Sequence, residues 1–169
     1  MKQLLSAVFT VACLILCAGY DFPIDGKFRN IKDNLPAEWV IADPGNAKIV
    51  RGEHFFTRAL ELTAGKNAVQ AVSRRSFPVT NLDFVEVEAD VKGQGNAFLA
   101  VELLNARGQS VATAKIAVRP AGRKFAGLKG KLRVADYAKL APASAKIIIG
   151  AEAGAKVAFY DVEAESDDD

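Results

Sequence analysis

Beyond residue 19 the chain has no cysteine, because Cys13 and Cys17 are its only two. No disulfide, thiol nucleophile or cysteine metal ligand is therefore available to the rest of the chain. Histidine occurs once, as His54 in "RGEHFF", which rules out a histidine metal pair. The nucleophile-elbow and phosphate-loop glycine patterns are missing as well, so His54 reads as a polar loop or strand-end residue. Charge of one sign is also lacking. The formal net charge is +2, and +1 without residues 1–19, whose single charged residue is Lys2. That balance argues for no nucleic-acid partner and no obligate membrane-surface partner. Long helical periodicity is absent too; only "VADYAKLA" (134–141) has room for a turn or two of helix.

What is present begins with "MKQLLSAVFTVACLILCAGY". A cation at Lys2, an uncharged apolar run from Leu4 to Leu16, and small residues at Cys17, Ala18 and Gly19 have the layout of a signal peptide. The expected cut falls between Gly19 and Tyr20. The run is shorter than the roughly 20 apolar residues that span a bilayer, so no stable membrane span is expected after cleavage. Secretion, or release to the periplasm or cell envelope, follows. Lipid attachment at Cys17 is the alternative, although Leu16 stands where that processing uses a small residue. The expected domain is 20–165, followed by a disordered acidic tail, 166–169.

Within the domain, polar and apolar residues alternate with a period of two. In "DFVEVEADV" (83–91), Val85, Val87, Ala89 and Val91 share one face, and Phe84, Glu86, Glu88 and Asp90 the other. After "KGQGN", "AFLAVELL" (97–104) turns Ala97, Leu99, Val101 and Leu103 inward. Past "NARGQ", Ala112, Ala114, Ile116 and Val118 alternate again. The glycine-containing turns predict a three-strand meander of hairpins. Further strands are predicted at 38–42, 47–51, 55–62, 68–75, 131–134, 145–153 and 157–164. This spacing predicts an all-β fold, a two-sheet antiparallel β-sandwich.

Carboxylates at Glu86, Glu88 and Asp90 have the spacing of a glycosidase pair, about 5–9 Å. Alternate residues of any strand give that spacing, with a rise of about 3.3 Å per residue, so the chain is read as no enzyme. The same outer face is the candidate binding surface. Pairing through "KGQGN" would bring Asp90 near Phe98 and Glu86 near Glu102, and the next hairpin would set Lys115 beside Phe98. Rings stack on the C–H faces of sugars while carboxylates grip hydroxyls, so Glu86, Glu88, Asp90, Phe98, Glu102 and Lys115 are the candidate ligand residues. A basic run, "VRPAGRKFAGLKGKLR" (118–133), reads first as a solvated loop and edge strand. Its other reading is a site for an anionic glycan.

The order of "IDGKF" (24–28), "LPAEW" (35–39), "QAVSRR" (70–75), the 89–109 segment and "SAKIIIGAEAGAKVAFYDVEAE" (144–165) resembles the galactose-binding-domain-like jelly rolls. The likeness is strongest to bacterial carbohydrate-binding modules, and it implies a jelly-roll sandwich that binds a glycan or another cell-envelope component. It places Trp39, in "P-x-x-W", in a packing role. It also implies a structural metal role for Asp161, with calcium held jointly by an acidic residue after the N-terminal phenylalanine. Here Arg29 follows Phe28, and calcium requires six to eight oxygens. A salt bridge from Asp161 to Arg29, or plain backbone hydrogen bonding, is expected in place of the ion. No cofactor is expected. The functional alternative to glycan binding is a structural or protein-interaction domain at the cell envelope.

Overall fold

The alternation does build strands. The structure, a computed structural model, describes residues 20–80 and 83–168. The expected leader with Cys13 and Cys17 lies outside the described residues, as does Asp169. In chain order the strands are β1 (Tyr20–Asp21), β2 (Ile31–Lys32), β3 (Leu35–Pro36), β4 (Trp39–Ile41), β5 (Ala47–Arg51), β6 (Arg58–Thr63) and β7 (Val69–Ser73). There follow β8 (Phe77–Pro78), β9 (Asp83–Gln94), β10 (Asn96–Leu104), β11 (Ser110–Pro120), β12 (Ala126–Arg133), β13 (Ser144–Ala151) and β14 (Lys156–Asp168). "VADYAKLA" contributes a 3-10 turn, Val134–Leu140.

Two antiparallel sheets face each other. The first runs β12-β9-β14-β6-β5, with β1 also on β14; the second runs β11-β10-β13-β7-β4, with β8 also on β13. Each strand turns alternate residues into the gap. Val85, Val87, Ala89, Val91, Val157 and Phe159 from the first sheet meet Leu99, Val101, Leu103, Ile147 and Ile149 from the second. All of these are essentially inaccessible to water. The fold is an all-β jelly-roll sandwich.

The predicted meander needs correction. β10 and β11 do form a hairpin, but β9 does not pair with β10; it lies between β12 and β14 in the opposite sheet. "KGQGN" is thus a crossover between layers. Its glycines serve close approach rather than a hairpin turn. Gly93 and Gly95 have φ of 145° and 84°. A Cβ on Gly93 would sit 2.1 Å from the Lys156 carbonyl oxygen, and one on Gly95 would sit 2.6 Å from Ala155 Cβ.

Two smaller differences bear on the surface. The strand predicted at 55–62 begins only at Arg58, because residues 52–57 form the loop of the β5–β6 hairpin. At the other end, where a free acidic tail is expected, β14 runs on. Ser166 pairs with Tyr20 and Val85, and Asp167 and Asp168 lie opposite Phe84 and Asp83. β9 begins at Asp83, so its backbone offers β14 a partner for that whole length.

Along the edge of β14 that β6 and β1 leave open, residues 22–29 fill the gap. Phe22 N–H donates to the Ala164 carbonyl (2.8 Å), and Val162 N–H donates to the Gly26 carbonyl (3.1 Å). Phe28, wholly buried, packs on Trp39 at 5.9 Å between ring centroids, and Trp39 Nε1 donates to the Asp25 carbonyl (3.1 Å). Trp39 is a packing residue, as its motif implies.

Candidate functional site

The outer face of the first sheet follows from the register. Gly127 on β12, Asp90 on β9 and Tyr160 on β14 lie side by side. Glu88 lies opposite both Lys129 and Glu163, and Glu86 opposite both Lys131 and Glu165. Between Tyr160 and Glu163 the register of β14 slips by a bulge, and Asp161 within it takes a left-handed conformation, φ 50°. A bulge re-aims the side chains beside it, and aspartate tolerates this backbone better than most residues. The aspartate in mid-strand is thus the bulge residue.

A cleft of about 400 Å³ opens along this face. Its apolar floor includes Phe22, Ile24, Val162 and Ala164; its polar walls include Asp21, Glu86, Glu88, Lys129, Glu163 and Glu165. Lys129 Nζ pairs closely with Glu86 Oε1 and lies 3.7 Å from Glu88 Oε2. The hydrogen bond to Glu86 holds the lysine's pKa above its ordinary value, with the Glu86, Glu88 and Glu165 charges adding to it against partial desolvation. Partial desolvation raises the Glu165 carboxyl, and the Glu86 charge, hydrogen bonding with Glu86 and the Asp21 charge add to it, opposed by Lys129. Burial also raises Asp90, with further contributions from Glu53, Asp161 and Glu88.

Beside the cleft lies an aromatic patch. Tyr160 meets Phe125 at 5.7 Å and the edge of His54 at 6.4 Å, and Lys92 Nζ stands 4.6 Å over the Phe125 ring. Ala59, Ala158 and Val50 fill in beneath. Tyr160 is only 7% exposed, Phe125 is half-buried and His54 is exposed.

The six candidate ligand residues therefore divide. Glu86 and Glu88 line the cleft, and Asp90 lies between it and the aromatic patch. Phe98, Glu102 and Lys115 belong to the other sheet and its opposite outer face, so neither Asp90 with Phe98 nor Glu86 with Glu102 forms a pair. Lys115 does stand over Phe98, 4.5 Å from its centroid, and is itself held by Glu152. Phe98 lies against Gly150, where an added Cβ would come within 2.1 Å of the ring, and is 4% exposed. It is a covered packing residue rather than a sugar platform. Tyr160, Phe125, Glu165 and Lys129 were legible as residues, but their convergence depends on a register that alternation alone does not give.

Asp161 lines the cleft, but its partner is Lys27, with Nζ 3.2 Å from Oδ1, and not Arg29. That oxygen is shut from solvent and accepts no hydrogen bond, so the ion pair alone compensates it. The residues do not fit calcium. A lysine ammonium stands where the ion would meet Asp161. The Asp25 carboxylate is used by the Arg29 and Asn30 amides at 2.9 and 2.7 Å. Among the described residues no group of three or more histidine, cysteine, aspartate or glutamate side chains is arranged to hold a metal. Nor is any described helix long and apolar enough to cross a membrane.

No family model matches the sequence, and no curated protein matches it. Solved structures do match by fold. The xylan-binding domain CBM22-1 of Paenibacillus barcinonensis Xyn10C is 15% identical over 78% of this chain and 86% of its own, with a TM-score of 0.53. The MgGH51 α-L-arabinofuranosidase is 14% identical over 89% of this chain but only 26% of its own, with a TM-score of 0.61. The Stig cyclase Fisc of Fischerella sp. TAU is 10% identical over 89% of this chain and 99% of its own, with a TM-score of 0.60. The chain spans only 20–28% of the tailspike, arabinofuranosidase and xylanase chains among these neighbours. At such identities the likeness is one of architecture. The chain shares its jelly-roll sandwich fold with the carbohydrate-binding modules among these neighbours.

Proposed function

We propose that this is a non-catalytic glycan-binding module, secreted or held at the cell envelope, whose site is the outer face of the first sheet. The observation that carries the reading is the convergence there of Phe125 and His54 on Tyr160, the register partner of Asp90, next to a cleft lined by Glu86, Glu88 and Lys129. Ring faces offer apolar contact to sugar C–H groups, and ionised carboxylates accept strongly from hydroxyls. The fold neighbour named as a xylan-binding domain gives a precedent for glycan binding by this scaffold. Hydrolysis is disfavoured by geometry. Lys129 Nζ pairs with Glu86 and lies 3.7 Å from Glu88, so neither carboxyl is set apart as the protonated acid that glycoside hydrolysis needs.

The alternative is a structural or protein-interaction domain at the envelope. It is favoured by the low exposure of Tyr160 and the burial of Trp39, which leave a thin platform. A glycan array followed by titration separates the two. Phe125→Ala and Glu88→Gln weaken any array hit about tenfold or more if the reading holds, while Glu102→Gln on the opposite sheet leaves it unchanged. A blank array from a folded sample refutes glycan binding and leaves the envelope role.

A further inference from the structure

The loop of the β5–β6 hairpin presents two phenylalanines to water. Phe55 is 68% exposed and Phe56 93%. Their rings meet edge to face, 4.7 Å between centroids and 85° between planes. The loop is not slack. Gly52 N–H donates to the Thr57 carbonyl (2.9 Å), Thr57 N–H to the His54 carbonyl (3.2 Å) and His54 N–H to Thr57 Oγ1 (3.0 Å). The Thr57 hydroxyl in turn donates to the His54 carbonyl (2.9 Å). Ordinary loops keep such rings covered, and an exposed apolar tip on a fixed backbone marks an interaction site.

The charges at its base say what kind of surface it meets. Arg51 and Arg58 are directly opposed across the hairpin, a like-charge placement that destabilises an antiparallel pair. The Arg51 guanidinium lies 4.5 Å over the Phe55 ring, and Arg58 Nη1 donates to the Arg29 carbonyl (3.0 Å). None of these three arginines forms an ion pair with a described residue. Glu53, the one acid of the loop, lies where its charge bears on Asp90, towards the sheet face. The near-neutral net charge therefore does not describe this corner, where Arg51 and Arg58 have no ion-pair partner among the described residues beneath an apolar tip.

We propose that Phe55 and Phe56 form an interfacial anchor that docks the domain on an anionic lipid bilayer. The two rings enter the boundary between headgroups and acyl chains, and Arg51 and Arg58 meet lipid phosphates. A sugar is the poorer occupant of this tip. Two perpendicular phenyl rings make no flat platform, and neither carries an atom that can hydrogen-bond a hydroxyl. This inference does not rest on the glycan reading: Phe55, Phe56, Arg51 and Arg58 do not line the carboxylate cleft, although His54 of the same loop borders Tyr160.

The test uses the full chain and a probe that reports position, so that its apolar N-terminal segment cannot imitate the result. Phe56→Trp is titrated with phosphatidylcholine vesicles, without and with about 30% phosphatidylglycerol, using brominated lipid as quencher. Trp39, buried, supplies a constant background. Arg107→Trp, on the exposed loop between β10 and β11, is the comparison site. The expected result is a blue shift and quenching for Phe56→Trp with the anionic vesicles and neither for Arg107→Trp. Adding Arg51→Gln and Arg58→Gln to the probe weakens the partition roughly 30-fold at low salt. Solvent-like emission from the Phe56→Trp probe, or equal quenching at both positions, overturns the proposal. So does a Phe55→Ser/Phe56→Ser chain that loses glycan binding while its vesicle binding stays unchanged.

Discussion

Gly26→Ala is the sharpest perturbation this fold offers. The glycine lies where the 22–29 segment crosses β14, and a Cβ there would stand 1.7 Å from the Val162 carbonyl oxygen and 2.6 Å from its carbon. Both atoms are backbone, so no rotamer change relieves the overlap. Restoring an ordinary contact parts the two strands by about 1.5 Å, which stretches the 3.1 Å bond from Val162 N–H to the Gly26 carbonyl beyond hydrogen-bond range. Val162 is buried, and an unpaired buried donor costs about 1–3 kcal/mol. The same displacement loosens Phe28 from Trp39 and adds overpacking strain of about 1–3 kcal/mol. Together the loss is about 4 kcal/mol, or a fall in melting temperature of roughly 8–16 °C at about 2–4 °C per kcal/mol for a domain of this size. Urea denaturation measured alongside thermal melting gives both figures. Gly65→Ala is the control, since an added Cβ there meets nothing within 4 Å. If Gly26→Ala melts within a degree or so of Gly65→Ala, the claim that residues 22–29 are pinned to β14 is wrong.

Two further outcomes are expected. Partial desolvation and the neighbouring Glu86 raise the Glu165 carboxyl above its unfolded value, with Asp21 adding to the effect and Lys129 opposing it. The folded chain therefore holds that proton more tightly, and the stability it brings is complete below the ordinary carboxylate range and lost as pH rises through the raised value. Glu165→Gln should accordingly raise the urea midpoint at about pH 7 and leave it nearly unchanged at about pH 4; the opposite pattern rules out the assigned cause. At the bulge, Asp161→Ala should cost about 1–2 kcal/mol, mainly through its left-handed backbone. Asp161→Asn should cost less, since its ion-pair partner Lys27 is well exposed. A chelator should leave the melting temperature of either protein where it was, and a chelator-induced drop in the parent chain would reinstate calcium.

Strands were legible wherever one side of the chain meets the core and the other meets water. In β9 the buried Val85, Val87, Ala89 and Val91 alternate with Glu86, Glu88 and Asp90, and the local pattern determines the face. Alternation does not say which layer a strand joins, because both sheets impose the same period. "KGQGN" shows the consequence: two glycines between patterned strands have the composition of a hairpin, yet Gly93 and Gly95 are there to let Lys156 and Ala155 come close. The candidate site inherited that ambiguity. Its acidic half, Glu86, Glu88 and Asp90, was found because the three share one strand, while Phe98 and Lys115 were placed with them through a pairing that does not form. The partner of Asp161 was displaced by two positions for a related reason. Phe28 adopts a left-handed conformation, φ 50°, in a turn held by the Asp25 carboxylate, and Lys27 is the cation that reaches Asp161.

The position of β14 has a bearing on how the chain folds. It is flanked by β9 on one side and by β6 and β1 on the other, all of which precede it in sequence. Until residues 156–168 arrive, the first layer has a vacant central lane, and β6 and β9 have no common neighbour to hold them in register. Assembly must then wait on contacts of large sequence separation, the kind that slow folding in all-β proteins. A polypeptide with this strand order is accordingly expected to fold more slowly than one built from successive hairpins.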